Sequence, residues 1–199
     1  MLYRLFRFLF LIIIKTFNRF QVIGKENIPL SGPVILVSNH ISNWDPMVFG
    51  NSIKRQVHFI AKEELFKIPL IKHLMVAWGT IPVKRGRGDR ETITKSLEIL
   101  QQGKIIGVFI EGTRNKTNPD QIKPQPGAAM LAIKSGAAVI PLYLHNTNKI
   151  GRTFQKVRVF IGPPLKFQAE PGLDKKELYD KIGKQITAAI LDLRPIKKA

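Results

Sequence analysis

Six short runs rich in β-branched residues recur along the chain, at 34–38, 57–61, 80–83, 105–110, 139–144 and 157–161. Stretches with a helical pattern lie between them, at 46–53, 63–77, 90–102 and 127–134, and a last one covers 175–193. Strand and helix in alternation predict an α/β fold, a single domain with a mixed, largely parallel central sheet flanked by helices. Gly103 and Gly136 stand where helices should stop. At 199 residues and 44% apolar, the chain is long enough and hydrophobic enough for one full core. It shows neither an internal repeat nor a low-complexity linker, and its long polar loop, 114–126, is expected to border the functional site.

Charge narrows the partners. The formal net charge is +18, and the basic residues are spread along the chain, so the folded surface should attract polyanions. Nucleic acid, anionic lipid and a phosphorylated substrate all satisfy that demand. The chain has no zinc-ligand spacing, no basic zipper and no aromatic RNA-binding signature, which sets nucleic acid aside. It also has no cysteine. That removes disulfides, thiolate metal sites and any acyl-cysteine intermediate, gives no sign of an oxidising compartment and favours the cytosolic side.

Residues 1–20 read as an N-terminal amphipathic membrane-associating helix, with the main domain at 21–199. Most residues from Leu2 to Phe20 are apolar, while Arg4, Arg7, Lys15 and Asn18 fall on one narrow stripe of a helix, with Arg19 at its edge. The uninterrupted apolar stretch 8–14 is far short of the roughly 20 residues that span a bilayer, so the helix is expected to lie on anionic membrane lipid with snorkelling cations. A cleaved signal peptide is a competing reading, but residues 15–21 lack the small-x-small cleavage pattern. A helix docked on the domain's own core is another, and both it and the membrane helix can hold in part.

Chemistry gathers where the strands end. Ser38-Asn39-His40-Ile41-Ser42-Asn43-Trp44-Asp45-Pro46 follows the apolar run Val34-Ile35-Leu36-Val37, so an imidazole and a carboxylate leave one buried strand together. Five residues apart on a helix they would diverge, but across a turn the aspartate can orient the histidine to take a proton near neutral pH. Asp45 before Pro46 equally reads as a helix N-cap. Of the other histidines, His58 alone has an acid five residues on, Glu63, and its apolar setting marks it as structural. The strand 80–83 ends in Lys84-Arg85, which can hold a phosphate or simply begin a solvated charge run. A third strand ends in Glu111-Gly112-Thr113-Arg114. Ligands of open α/β sheets collect at the carboxyl ends of strands, so these segments are expected to converge.

Together, Asn39-His40-x-Ser42-x-x-Asp45, Ile81-Pro82-Val83-x-Arg85, Phe109-x-Glu111-Gly112-Thr113-Arg114 and Val139-Ile140-Pro141-Leu142 resemble the four ordered blocks of the glycerolipid acyltransferases, above all the 1-acyl-glycerol-3-phosphate acyltransferase branch. The resemblance implies that 21–199 is an acyltransferase domain in which His40 is the general base and Asp45 holds its ring. It implies that Arg85, Glu111, Gly112, Thr113 and Arg114, assisted by Lys62, bind the glycerol phosphate, and that 139–141 shapes the pocket. The implied reaction moves a fatty acyl group from an acyl carrier protein or CoA thioester to lysophosphatidic acid, with no cofactor and no metal. A glycerol-3-phosphate or other lyso-lipid acyltransferase is the neighbouring alternative, and a non-catalytic lipid-binding module the alternative from another class. The chain is shorter than many relatives and has one modest N-terminal apolar segment, which bears on a spanning anchor and not on the chemistry.

Overall fold

The computed structural model describes residues 2–83, 90–115, 117–118, 121–152 and 154–195. An N-terminal helix α1 (Leu2–Phe17) leads directly into strand β1 (Asn18–Ile23). There follow β2 (Val34–Ser38), α2 (Asp45–Ser52), β3 (Val57–Lys62), α3 (Pro69–Ala77), β4 (Ile81–Val83), α4 (Arg90–Gln101) and β5 (Ile105–Phe109). The chain closes with α5 (Gly127–Ser135), β6 (Ala138–His145), β7 (Gln155–Ile161) and α6 (Lys175–Asp192). The seven strands form one sheet in the order β1-β7-β6-β2-β5-β3-β4, parallel throughout except for the antiparallel pair β6 and β7. This is the expected α/β domain with a mixed, largely parallel sheet.

Both faces of the sheet are covered, which is why β2 is apolar without alternation. Ile35 and Val37 pack with Leu100, Leu131, Ile182 and Ile186 of α4, α5 and α6. Val34 and Leu36 point the other way, against Phe10 and Ile14 of α1 and Val48 and Phe49 of α2. Each such fully buried aliphatic or aromatic side chain contributes about 1.5–3 kcal/mol through removal from water.

Three segments differ from the sequence reading. The N-terminal helix stops at Phe17, and residues 18–23 form an edge strand paired with β7 from Asn18–Gln155 to Ile23–Phe160. Here Phe20 and Val22 join the core while Arg19 and Gln21 face out, a period of two that the preceding apolar helix masked. Residues 63–77 are a 3₁₀ turn, Glu63–Lys67, followed by α3. Pro69 cannot donate a backbone hydrogen bond and forces Ile68 to an extended φ −88°, ψ 114°, so one helix becomes two pieces. Finally, α2 begins at Asp45 with Trp44 as its N-cap, and the Asp45 side chain is not given to capping.

Helix α1 has two apolar faces. Phe10 and Ile14 are buried in the core, whereas Leu5, Phe8, Leu9, Ile12, Ile13 and Phe17 are exposed along the other side. The predicted basic stripe is divided: Arg7 donates to the carbonyls of Ile53 and Lys54 just past α2, Asn18 is buried in β1, and Lys15 is exposed. Among the described residues no helix is long and apolar enough to cross a membrane.

Candidate active site

Strands β2 and β5 are neighbours with Ser38 opposite Phe109, so the residues two past each strand end, His40 and Glu111, emerge side by side. Pairing continues beyond the strands: Ile110 N–H donates to Ser38 O at 3.0 Å and Asn115 N–H to His40 O at 2.7 Å. On the other flank, the Asn39 side chain grips β6 twice, donating to Leu144 O at 3.1 Å and accepting from Leu144 N–H at 2.8 Å. The backbone carrying His40 is thereby tied to both adjacent strands.

From Ile41 to Trp44 the chain turns, and Asp45 comes back beneath the imidazole. Asp45 is fully buried, and its Oδ2 accepts from His40 Nδ1, Ile41 N–H and Ser42 N–H, each at 2.7 Å. Since that oxygen accepts from two backbone donors, the proton shared with the imidazole resides on Nδ1, leaving Nε2 as the proton-accepting nitrogen. The imidazole also lies flat on Phe109, ring centroids 3.9 Å apart at 15°, and Phe109 stacks in turn on Phe59 at 5.9 Å and 12°. Ring plane, tautomer and height are all held. The His40 side chain is 15% exposed, enough to leave one edge open.

Glu111 turns inward. Its carboxylate accepts from Asn115 Nδ2 at 2.9 Å, and burial raises its pKa against the lowering influence of Asn115 and of the His40 backbone N–H. Through Asn115, whose backbone N–H donates to His40 O, the carboxylate braces the loop after β5 against the His40 turn. Gly112 follows with φ +64°, a left-handed turn suited to glycine, and sends Thr113 and Arg114 outward, both exposed. The Arg114 guanidinium donates to Asn43 Oδ1, which links the rim of the β5 loop to the His40–Asp45 turn.

The structure therefore gathers His40, Asp45, Glu111, Gly112, Thr113 and Arg114 at the carboxyl ends of β2 and β5. Lys62 is exposed at the same end of β3, its Cα paired with Val83 of β4. Arg85 lies outside the described residues. The 139–141 block builds the middle of β6: Val139 and Ile140 are fully buried on opposite faces, and Pro141 pairs with Val37, so these residues support β2 and do not line the site. His58 is structural as expected, with Nδ1 3.0 Å from Gly79 O and a pKa lowered chiefly by burial. Sequence reasoning missed Phe109 as a platform, together with Asn43 and Asn115. The polar loop 114–126 was the one signal pointing toward Asn115. Among the described residues no cluster of three His, Asp or Glu is placed to hold a metal ion.

A buried acid orienting an imidazole at a strand exit, with an arginine on the rim, is built to take a proton from a hydroxyl on an anionic molecule. Known proteins agree with that class. A family model described as "Acyltransferase" matches residues 19–145, and the chain belongs to this family. A 1-acyl-sn-glycerol-3-phosphate acyltransferase of Borreliella burgdorferi is 30% identical over 86% of this chain and 68% of its own length. The chloroplastic 1-acyl-sn-glycerol-3-phosphate acyltransferase LPAT1 of Arabidopsis thaliana is 34% identical over 75% of this chain, which spans 44% of that relative. The crystal structure of the 1-acyl-sn-glycerophosphate (LPA) acyltransferase PlsC from Thermotoga maritima superposes with a TM-score of 0.70 at 27% identity, covering 94% of this chain and 77% of that one.

Proposed function

We propose that the protein transfers a fatty acyl group from an acyl thioester to the free sn-2 hydroxyl of lysophosphatidic acid, forming phosphatidic acid. The observation that carries this reading is the His40–Asp45 pair held at the exit of β2, 2.7 Å apart, with Arg114 on the adjoining rim. The names of the relatives from Borreliella and Thermotoga, both acyltransferases of 1-acyl-sn-glycerol phosphates, support the choice of acceptor.

In the step, His40 Nε2 takes the hydroxyl proton as the oxygen attacks the thioester carbonyl. Asp45 stabilises the imidazolium that forms and keeps the ring from turning. The new C–O bond closes, the C–S bond breaks, and the proton passes from His40 to the departing thiolate. A thiolate leaves readily, so direct transfer needs no enzyme nucleophile and no cofactor beyond the donor itself. Arg114, with Arg85 and Lys62, would hold the acceptor's phosphate, which an Arg binds through charge-assisted hydrogen bonds. Glu111 and Gly112 serve this site by shaping the loop that presents Thr113 and Arg114.

The donor is an acyl carrier protein or CoA thioester, both anionic and both suited to a surface of net charge +18. The exposed stripe of α1, from Leu5 to Phe17, supports an interfacial helix seated on anionic membrane lipid. The protein would then be peripheral or monotopic at the cell membrane, with its site on the cytoplasmic side. The test is a transfer assay with purified full-length protein in detergent, labelled acyl-CoA and acyl carrier protein thioesters, and a panel of acceptors. Acylation of lysophosphatidate is expected. Transfer confined to glycerol 3-phosphate or to a phosphate-free lyso-lipid would overturn the choice of acceptor, and no transfer to any would leave a lipid-binding module.

A further inference from the structure

The turn joining β6 to β7 holds a large aromatic side chain out in solvent. Phe154 is 73% exposed and takes φ +62°, a left-handed conformation that strains a bulky L-residue. Its backbone N–H donates to Phe17 O at 2.8 Å, and Asn18 Nδ2 donates to Arg152 O at 2.9 Å, so the turn is fastened to the end of α1. Phe17 is itself 53% exposed, which makes Phe154 continuous with the exposed stripe of α1.

Cations crowd the strands behind this tip. Arg19 of β1 and Lys156 of β7 are direct neighbours in parallel register, and Arg158, two residues on, shares their face and pairs with His145 of β6. Like charges placed directly opposite repel, so an arrangement of this kind favours an anion in front of it. Arg158 Nε is buried without a hydrogen-bond partner, and the pKa of His145 is lowered by burial and then by Arg158 and Lys149. Among the described residues no carboxylate forms an ion pair with Arg19, Lys149, Lys156 or Arg158.

The position of the tip gives it a role. Ser38 is level with Leu142, His145 with Arg158, and Asn18 with Gln155, so the turn lies about six residues, or about 20 Å, beyond the end of β2 along the strand direction. It overhangs the edge of the sheet that carries His40.

We propose that the β6–β7 turn is a second membrane-docking element, seating Phe154 in the apolar boundary of an anionic bilayer while the cations behind it meet lipid phosphates. The proposal rests on reading α1 as an interfacial helix. A single helix leaves the domain free to roll about the helix axis. The tip adjoins the helix end, but Arg19 and Lys156 project from the face of the sheet opposite α1, so a contact made through tip and cations together sets which edge of the sheet meets the lipid, and that edge is the one where His40 waits for a lipid hydroxyl.

Flotation of the full-length protein with vesicles of phosphatidylcholine, and of equimolar phosphatidylcholine and phosphatidylglycerol, tests this. The variants are Phe154→Asn, in which asparagine tolerates the left-handed turn, and Lys156→Gln combined with Arg19→Gln. The paired charge removal should weaken binding to the anionic vesicles about fivefold for each cation lost, and little on phosphatidylcholine. Phe154→Asn should weaken binding to both. Because the chain has no cysteine, Phe154→Cys carrying an environment-sensitive fluorophore gives a direct reading, a blue shift on anionic vesicles. Undiminished flotation of both variants, or unshifted emission while the protein floats, would overturn the proposal and leave α1 as the membrane contact. Normal flotation with turnover lost only from acyl carrier protein thioesters would also overturn it, reassigning the cations to an acidic donor protein. Wild-type turnover of dispersed short-chain lysophosphatidate is measured separately: its absence, with flotation as expected, would fail the enzymatic reading and leave the docking element standing.

Discussion

Asp45 holds His40 with one oxygen: Oδ2 accepts from Nδ1 at 2.7 Å and, at the same distance, from the two backbone N–H groups that bend the chain between the two residues. The carboxylate that orients the ring also makes the turn that brings it there. Removing Asp45 therefore unmakes the turn as well as the chemistry, whereas removing the imidazole leaves the two backbone hydrogen bonds that make the turn in place.

From that asymmetry, His40→Ala should lower turnover by about 10²–10⁴-fold, the worth of a positioned general base, with an unchanged circular dichroism spectrum and a modestly lower melting temperature from the lost Phe109 stack and Asp45 partner. Asp45→Ala should match it in turnover and melt earlier still, since the two N–H groups that make the turn lose their acceptor. A folded His40→Ala protein with wild-type turnover would end the assignment of His40 as base.

Asn39 predicts a different loss. Asn39→Ala strands the N–H and carbonyl of Leu144, both buried, at a cost of about 1–3 kcal/mol for each group. Urea unfolding measures it. A cost near zero would mean that β2 and β6 stay paired past Ser38 without the amide.

Arg114 stands exposed at the rim, so Arg114→Ala should spare the fold and raise the Michaelis constant for lysophosphatidate. A charge-assisted hydrogen bond worth about 1.5–3 kcal/mol corresponds to roughly 10- to 150-fold. Arg85→Ala should act in the same direction, by its place in the sequence block. Steady-state kinetics with acceptor and donor varied separately decide it, and an effect confined to the donor constant would assign these cations to the thioester's phosphates.

Glu111 should make stability depend on pH. Burial holds its carboxyl above the ordinary carboxylate value, so between the unfolded and folded values the native chain retains a proton that the unfolded chain has released. Stability from this group is present below the ordinary value and lost as pH rises through the folded one. Glu111→Gln, which keeps an acceptor for Asn115, should remove that loss, and its melting temperature relative to wild type should climb from acid to neutral pH. A difference independent of pH would contradict the buried-carboxyl account.

The two faces of α1 separate by mutation. Ile14→Ala, in the core, should cost about 2–5 kcal/mol of stability. Phe8→Ser with Ile12→Ser, on the exposed side, should leave stability nearly untouched and weaken flotation with anionic vesicles. If the double variant unfolds and floats normally, the faces have been exchanged.

Periodicity and local chemistry settle much of this protein from sequence. The continuous apolar run of β2 declared a buried strand, and the His40–Asp45 spacing declared a turn-borne acid and base. Such features depend on neighbours along the chain, and neighbours along the chain are what a sequence displays. The edge strand β1 was lost because residues 18–20 read equally well as the end of an apolar helix, and only pairing with β7, more than 130 residues away, decides for the strand. Distance in sequence hid Phe109 under His40 and Asn39 on Leu144, since each acts through a partner carried by another strand. It also hid which apolar residues of α1 are consumed by the core and which remain for a lipid surface. Composition makes the helix apolar, but burial is assigned by what packs against it, and that exists only once the sheet has formed.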